Sequence, residues 1–210
     1  MHMAVLESLG CVVVDCGGDG DCFYHCMLWL AQTFCPGTLH GSSCTSHLNL
    51  RVAVVDHVEA NWDQINLSRD VPIIATLEAR SKSKGTNKKK VQGFCKVWKQ
   101  QGVYVENEVV AAFAHFSGHP VVVHNIFEEH IHVLLPAALQ QQCDIPPQLM
   151  NHTLHENEEI SSTPFVLWCN GGHYQAVVPK RLIHIAKEAM ETELFKNENV
   201  VYSKDVTRRS

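Results

Sequence analysis

Residues 22 to 34 (Cys-Phe-Tyr-His-Cys-Met-Leu-Trp-Leu-Ala-Gln-Thr-Phe) are almost wholly apolar apart from His25 and Gln32. The next proline is Pro36, so the run is long enough for three helical turns. A helix that is hydrophobic all round has no face to offer to water and must be buried. The rest of the chain therefore has to be built around this segment. Immediately before it stands Asp15-Cys16-Gly17-Gly18-Asp19-Gly20-Asp21, a glycine- and aspartate-rich loop that must turn sharply. The pair of segments places Cys22 in the first turn of a central helix, with the preceding aspartates as caps.

A core of this kind needs enough apolar chain around it. The 210 residues are 45% hydrophobic and 19% charged, which suits one globular domain and excludes a disordered chain. No uninterrupted apolar run reaches the length of a membrane span. A net charge of −5 argues against a protein that coats nucleic acid. Nine cysteines, an odd number with no Cys-x-x-Cys pair, do not read as a disulfide scaffold or a zinc ribbon. Residues 1 to 10 have no basic start and apolar run of a signal peptide. The expectation is a reducing compartment, the cytoplasm (or a host cytosol if the source is a pathogen), with most thiols acting as small buried hydrophobes.

Helical spacing recurs at Leu48, Val52, Val55, Val58 and Trp62, at Val91, Phe94, Cys95 and Trp98, and from Val105 to Phe116. The basic stretch from Arg80 to Lys90 reads as a solvated loop, with a partner contact or localisation signal as the other reading. Short strands are expected at 11–14, 120–124, 130–135, 165–169 and 173–178. Residues 136 to 163, with three prolines and an acidic run, read as a long loop. Helices first and strands later predict an α+β fold. The domain is expected over 1–185, with 186–210 a charged extension or frayed linker.

A cysteine at a helix N-terminus is held towards its ionised, nucleophilic form by the helix dipole. Backbone N–H groups of the glycine-rich loop can converge where an oxyanion would form in acyl transfer. A phosphate cradle fits worse, because three aspartates in seven residues repel an anion. Cys26, one turn deeper, reads as core. A nucleophilic cysteine needs a histidine to take and return its proton. His173 stands out among 14 histidines because the turn Asn170-Gly171-Gly172 would present it at the mouth of a strand anchored by Ala176-Val177-Val178.

Together these segments resemble the ovarian-tumour (OTU) family of cysteine proteases, most of which are deubiquitinases. The family's Asp-Gly-x-Cys followed by two bulky residues stands here as Asp19-Gly20-Asp21-Cys22-Phe23-Tyr24. Its late motif, an apolar strand, a turn and His-aromatic before another apolar strand, stands as Phe165 to Trp168, His173-Tyr174 and Ala176 to Val178. A weaker likeness runs from Tyr104-Val105 to Ala112-Phe113-Ala114 and on to the strand at Pro120. Three positions depart from the family: His25 follows Tyr24 in place of Arg or Ser, Val109 replaces a helix glutamate, and Gln175 stands where Asn or Asp orients the imidazole.

The resemblance implies a papain-like OTU fold, its helical part packed on a small central β-sheet. It implies an isopeptidase that cleaves ubiquitin, polyubiquitin or a ubiquitin-like modifier from lysine, without metal or cofactor, and without nucleic-acid or membrane partners. Cys22 would be the nucleophile and His173 the general base and acid, with Asp19 supporting the oxyanion loop. Gln175 is the first candidate to orient the imidazole and Asn170 the alternative, while Asp15 or Asp19 could act from the Cys22 loop. Two other readings remain open at this point. One is an inactive or weakly active ubiquitin-binding module of the same fold. The other is a metal-binding interaction domain that would use the surplus of Cys and His.

Overall fold

The computed structural model describes residues 10–18, 20–35, 37–39, 44–68, 71–81, 84–125, 130–136, 165–182 and 201–202. Strand β1 (Cys11–Asp15) leads into the glycine-rich loop and then into helix α1 (Cys22–Phe34). Helix α2 (His47–Asn61) follows, then a small ribbon of β2 (Asn66–Ser68) and β3 (Val71–Pro72). Helices α3 (Ile73–Arg80), α4 (Asn87–Trp98) and α5 (Asn107–Ser117) complete the helical half. Strands β4 (Val121–Asn125), β5 (His130–Leu134), β6 (Phe165–Asn170) and β7 (His173–Pro179) follow, with a two-residue strand β8 (Val201–Tyr202) near the end.

The main sheet runs β5-β4-β6-β7-β1-β8. Only β4 and β6 are parallel; every other neighbouring pair is antiparallel. One face, carrying Val14, Tyr174, Ala176 and Val178, joins the main core with the helices. The other carries a smaller apolar cluster of Cys11, Val13, Val122, Val166, Trp168 and Val177. The fold is α+β, as expected.

As its apolar sequence requires, α1 is buried from Cys22 through Ala31. Its Phe23 ring meets Tyr24, Phe113 and Tyr174 edge-on, with centroids 5.3, 5.8 and 5.4 Å away, so one aromatic side chain ties α1 to α5 and β7. Eight of the nine cysteines fall within the described residues, and all eight are buried free thiols. Among the described residues no helix is long and apolar enough to cross a membrane.

Several expectations need correction. The buried face of α2 is Leu50, Arg51, Val54, Val55 and Val58, while Leu48 and Val52 are 38% and 43% exposed. The helix is rotated from the expected stripe because it buries Arg51. Helix α3 is not foreseen; it is eight residues long and buries only Ile73 and Leu77, too weak a pattern to read locally. The basic stretch is not one loop. Arg80 ends α3 and pairs with Glu106 and Glu108, while Lys88 to Lys90 form the first turn of α4. The expected loop at 136–163 lies outside the described residues apart from residue 136. The expected extension contributes β8, which pairs with the outer edge of β1, and its other residues lie outside the described ones.

Candidate active site

Three strands and one helix end converge on the site. Strands β6 and β7 form a hairpin in which Asn170 pairs with His173 across Gly171 and Gly172. Both glycines have positive φ, 61° and 92°, the backbone that a type I′ turn demands at its two central positions. The tight turn sets His173 as the first residue of β7, beside the N-terminus of α1. There the Tyr174 N–H donates to Cys22 Sγ at 3.3 Å, and the Cys22 thiol points at the Gly172 carbonyl at 3.8 Å. One turn on, the Cys26 thiol donates to the Tyr174 carbonyl at 3.4 Å. Two sulfurs on one helix face thus bracket a single residue of β7. Cys26 is fully buried and burial pushes its thiol pKa well up, so it stays protonated and inert.

His173 Nε2 is 3.1 Å from Asp15 Oδ1. The register explains the contact. Val14 pairs with Ala176 across β1 and β7, so one further step sets Asp15 opposite Gln175 and diagonal to His173 on the same face. With Nε2 engaged by the carboxylate, Nδ1 is the ring nitrogen left for the neighbouring Cys22 sulfur. Its pKa rises from 6.5 to about 10, first through the Asp15 hydrogen bond and then through the nearby Cys22 sulfur. Asp15 moves the opposite way, below 3.8, chiefly because of His173; the Gly17 N–H donates to it at 2.9 Å, and the Gln175 side chain adds a smaller lowering. At neutral pH the geometry therefore favours an imidazolium between a carboxylate and the nucleophile.

The structure brings Cys22 and His173 together and places Asp15, one of the open alternatives, on the imidazole. Gln175 is the first candidate from sequence; it faces Asp15 across β1 and β7 and helps to lower that carboxylate's pKa. Asn170 is the exposed register partner of His173 at the end of β6, and no side-chain bond to the imidazole is seen among the described residues. Asp19 lies outside the described residues.

Asp21 does not cap α1 with its side chain. Its carboxylate is taken by Arg51, whose Nε donates to Oδ1 at 2.8 Å, and by the Gly102 N–H, which donates to Oδ2 at 3.1 Å. The sequence reading misses Arg51. The signal was available in Leu50, Val54, Val55 and Val58, a stripe that includes position 51 and implies a buried cation in need of an acidic partner. Gly102 also packs against Gly20, where a Cβ would stand 2.0 Å from the Gly102 carbonyl oxygen. Two residues on, the Tyr104 ring lies 3.7 Å from where a Cβ on Gly172 would be, and Tyr104 is 62% exposed. The segment between α4 and α5 thus touches both the nucleophile loop and the histidine turn. Cys22 itself is 2% exposed, whereas the His173 and Asp15 side chains are 38% and 32% exposed, so the site opens on the imidazole side.

No protein-family model matches the sequence, and no curated protein matches it. Among solved structures it is similar to the crystal structure of an OTU deubiquitinase from Wolbachia pipientis wMel. The TM-score is 0.51 and the identity 9%, over 85% of this chain and 96% of that one. At this identity the likeness is one of architecture: the chain has an OTU-like fold.

Proposed function

We propose that the protein is a thiol-dependent isopeptidase of the OTU type, hydrolysing the bond between the C-terminal glycine of ubiquitin, or a ubiquitin-like modifier, and a lysine amine. The observation that carries this reading is the alignment of Cys22, His173 and Asp15 at the N-terminus of a buried helix. Cys22 Sγ, its proton already held by His173, attacks the glycine carbonyl carbon. The carbonyl oxygen gathers negative charge beside the Cys22 N–H, at the positive end of the α1 dipole. As the C–N bond breaks, His173 returns the proton to the lysine amine, leaving a thioester on Cys22. Water then attacks the thioester with His173 as base, and the glycine carboxylate and free thiol are released. Asp15 holds the ring and stabilises its cationic form. The eight buried free thiols support a reducing compartment.

The test is turnover of a ubiquitin–fluorophore conjugate. Cys22→Ala is expected to abolish it while the protein stays folded; unchanged turnover removes Cys22 from the mechanism. A second reading, a non-catalytic ubiquitin-binding module, rests on the 2% exposure of Cys22. A covalent ubiquitin probe that labels Cys22 decides for the enzyme.

A further inference from the structure

Arg51 is the most heavily engaged polar side chain behind the site. It is 1% exposed, and its guanidinium donates to Asp21 Oδ1 at 2.8 Å and to the carbonyls of Trp98, Gly20 and Val103 at 2.7, 2.8 and 2.8 Å. It also lies over the Tyr24 ring, 4.5 Å from its centroid. A buried cation is tolerated when its charge is paired and its donors are satisfied, and both conditions are met here. Stability alone would not require these acceptors. Two of them, the Gly20 carbonyl and Asp21, are the residues that lead into Cys22, and a third, the Val103 carbonyl, adjoins the Tyr104 that faces Gly172.

The bond to the Gly20 carbonyl has a directional effect. In a trans peptide the C=O and N–H point in opposite directions, and the described chain has no cis peptide. Anchoring the Gly20 oxygen on Arg51 therefore turns the Asp21 N–H to the other side. The Asp21 carbonyl is fixed as well, accepting from the N–H groups of Tyr24 and His25 at 2.9 and 3.1 Å, so the Cys22 N–H points back out of the helix end. The two N–H groups that flank the nucleophile thus owe their directions to one guanidinium and one helical turn.

We propose that Arg51 is a positioning residue for acyl transfer, setting the backbone N–H groups at Asp21 and Cys22 that receive the developing oxyanion. The proposal rests on the isopeptidase reading. The effect belongs to the transition state, because the oxyanion forms only there.

The experiment compares the parent with Arg51→Lys. Lysine keeps the positive charge beside Asp21, but a single ammonium cannot reproduce a planar fork that reaches four acceptors. Two readouts are taken on folded protein: kcat and KM for a ubiquitin–fluorophore conjugate, and the rate of iodoacetamide alkylation at Cys22 followed by mass spectrometry. Alkylation uses the same sulfur but forms no oxyanion. The expected result is a kcat lowered by about 10²-fold to 10³-fold, with KM and the alkylation rate within roughly threefold of the parent. Unchanged turnover overturns the proposal, and so does a parallel fall in turnover and alkylation, which would mean that the nucleophile itself had been displaced. Should Arg51→Lys fail to fold, the uncharged pair Asp21→Asn with Arg51→Met is measured in the same way. Failure of that pair to fold would reduce Arg51 to a stabilising role and overturn the proposal too. A parent that turns over no conjugate refutes the isopeptidase reading, whereas an active parent with an unaffected variant refutes only the role of Arg51.

Discussion

Asp15 Oδ1 and His173 Nε2, 3.1 Å apart, belong to neighbouring antiparallel strands and meet on the diagonal of their register. The carboxylate therefore comes from before the nucleophile in the chain, not from the strand that carries the histidine. Asp15→Ala is expected to lower kcat by about 10²-fold to 10⁴-fold, the usual worth of a correctly held acid–base group. Asp15→Asn keeps an acceptor but removes the charge. In it the alkaline limb of the pH–rate profile should move down by about one to three units, because the imidazolium loses the partner that raises its pKa. An unshifted profile in Asp15→Asn would show that another group orients the ring.

Gln175 faces the orienting carboxylate across β1 and β7 and helps to lower its pKa. Gln175→Ala should therefore cost less than Asp15→Ala, with kcat reduced by roughly tenfold or less. Steady-state kinetics of the two variants and the double variant provide the check. If Gln175 acts through Asp15, removing it from Asp15→Ala should have almost no further effect.

The buried helix α1 and the hairpin of β6 and β7 were legible because each is specified locally, by an apolar run and by a Gly-Gly turn between β-rich segments. Cys22 and His173 could be chosen for the same reason. Asp15 could be raised only as one of several alternatives, since its claim depends on which residue of β7 it faces, and register is a property of two strands far apart in sequence. Arg51 was hidden for a related reason. A reading that keeps charges on the outside turns α2 so that Leu48 and Val52 face inward, whereas the structure buries Arg51 and leaves those two exposed. The deciding partner, Asp21, belongs to another element and looked from sequence like a helix cap.

Stability should vary with pH through the Asp15–His173 pair, and the sign follows from the shifts. His173 has a raised folded pKa, so its contribution is complete below 6.5 and is lost as pH rises through about 10. Asp15 has a lowered one, so its contribution is present above 3.8 and is lost as pH falls below that value. The difference in denaturation midpoint between the parent and Asp15→Asn should be largest between these limits and shrink on either side. A difference that grows from pH 7 to pH 9 would contradict the assignment.

Gly20 has φ of 76°, and a Cβ there would stand 2.0 Å from a backbone oxygen of Gly102 that has no flexible end to move aside. Gly20→Ala combines an unfavourable left-handed backbone, about 1–2 kcal/mol, with overpacking of about 1–3 kcal/mol. Urea unfolding should register a loss of roughly 2–5 kcal/mol. A loss below about 1 kcal/mol would mean that the segment after α4 is not held against the nucleophile loop as the geometry requires.

A second pH effect lies away from the site, between α2 and α5. His57 Nε2 is 2.8 Å from His115 Nδ1, and the His57 ring packs edge-on against Phe116 with centroids 5.5 Å apart. Burial first, and the neighbouring His115 second, lower the His57 pKa from 6.5 to about 4; burial lowers His115 too. Two histidines sharing one hydrogen bond cannot both carry a proton on the shared nitrogens, so the pair is stable when neutral. The unfolded chain takes up protons at 6.5 while the folded His57 waits until about 4, so stability falls as pH drops through that interval. His57→Gln removes the titrating group while retaining a polar side chain. Its urea midpoint should change less between pH 7 and pH 5 than the parent's, with His115 responsible for the slope that remains. An equal slope in both proteins would place the acid sensitivity elsewhere.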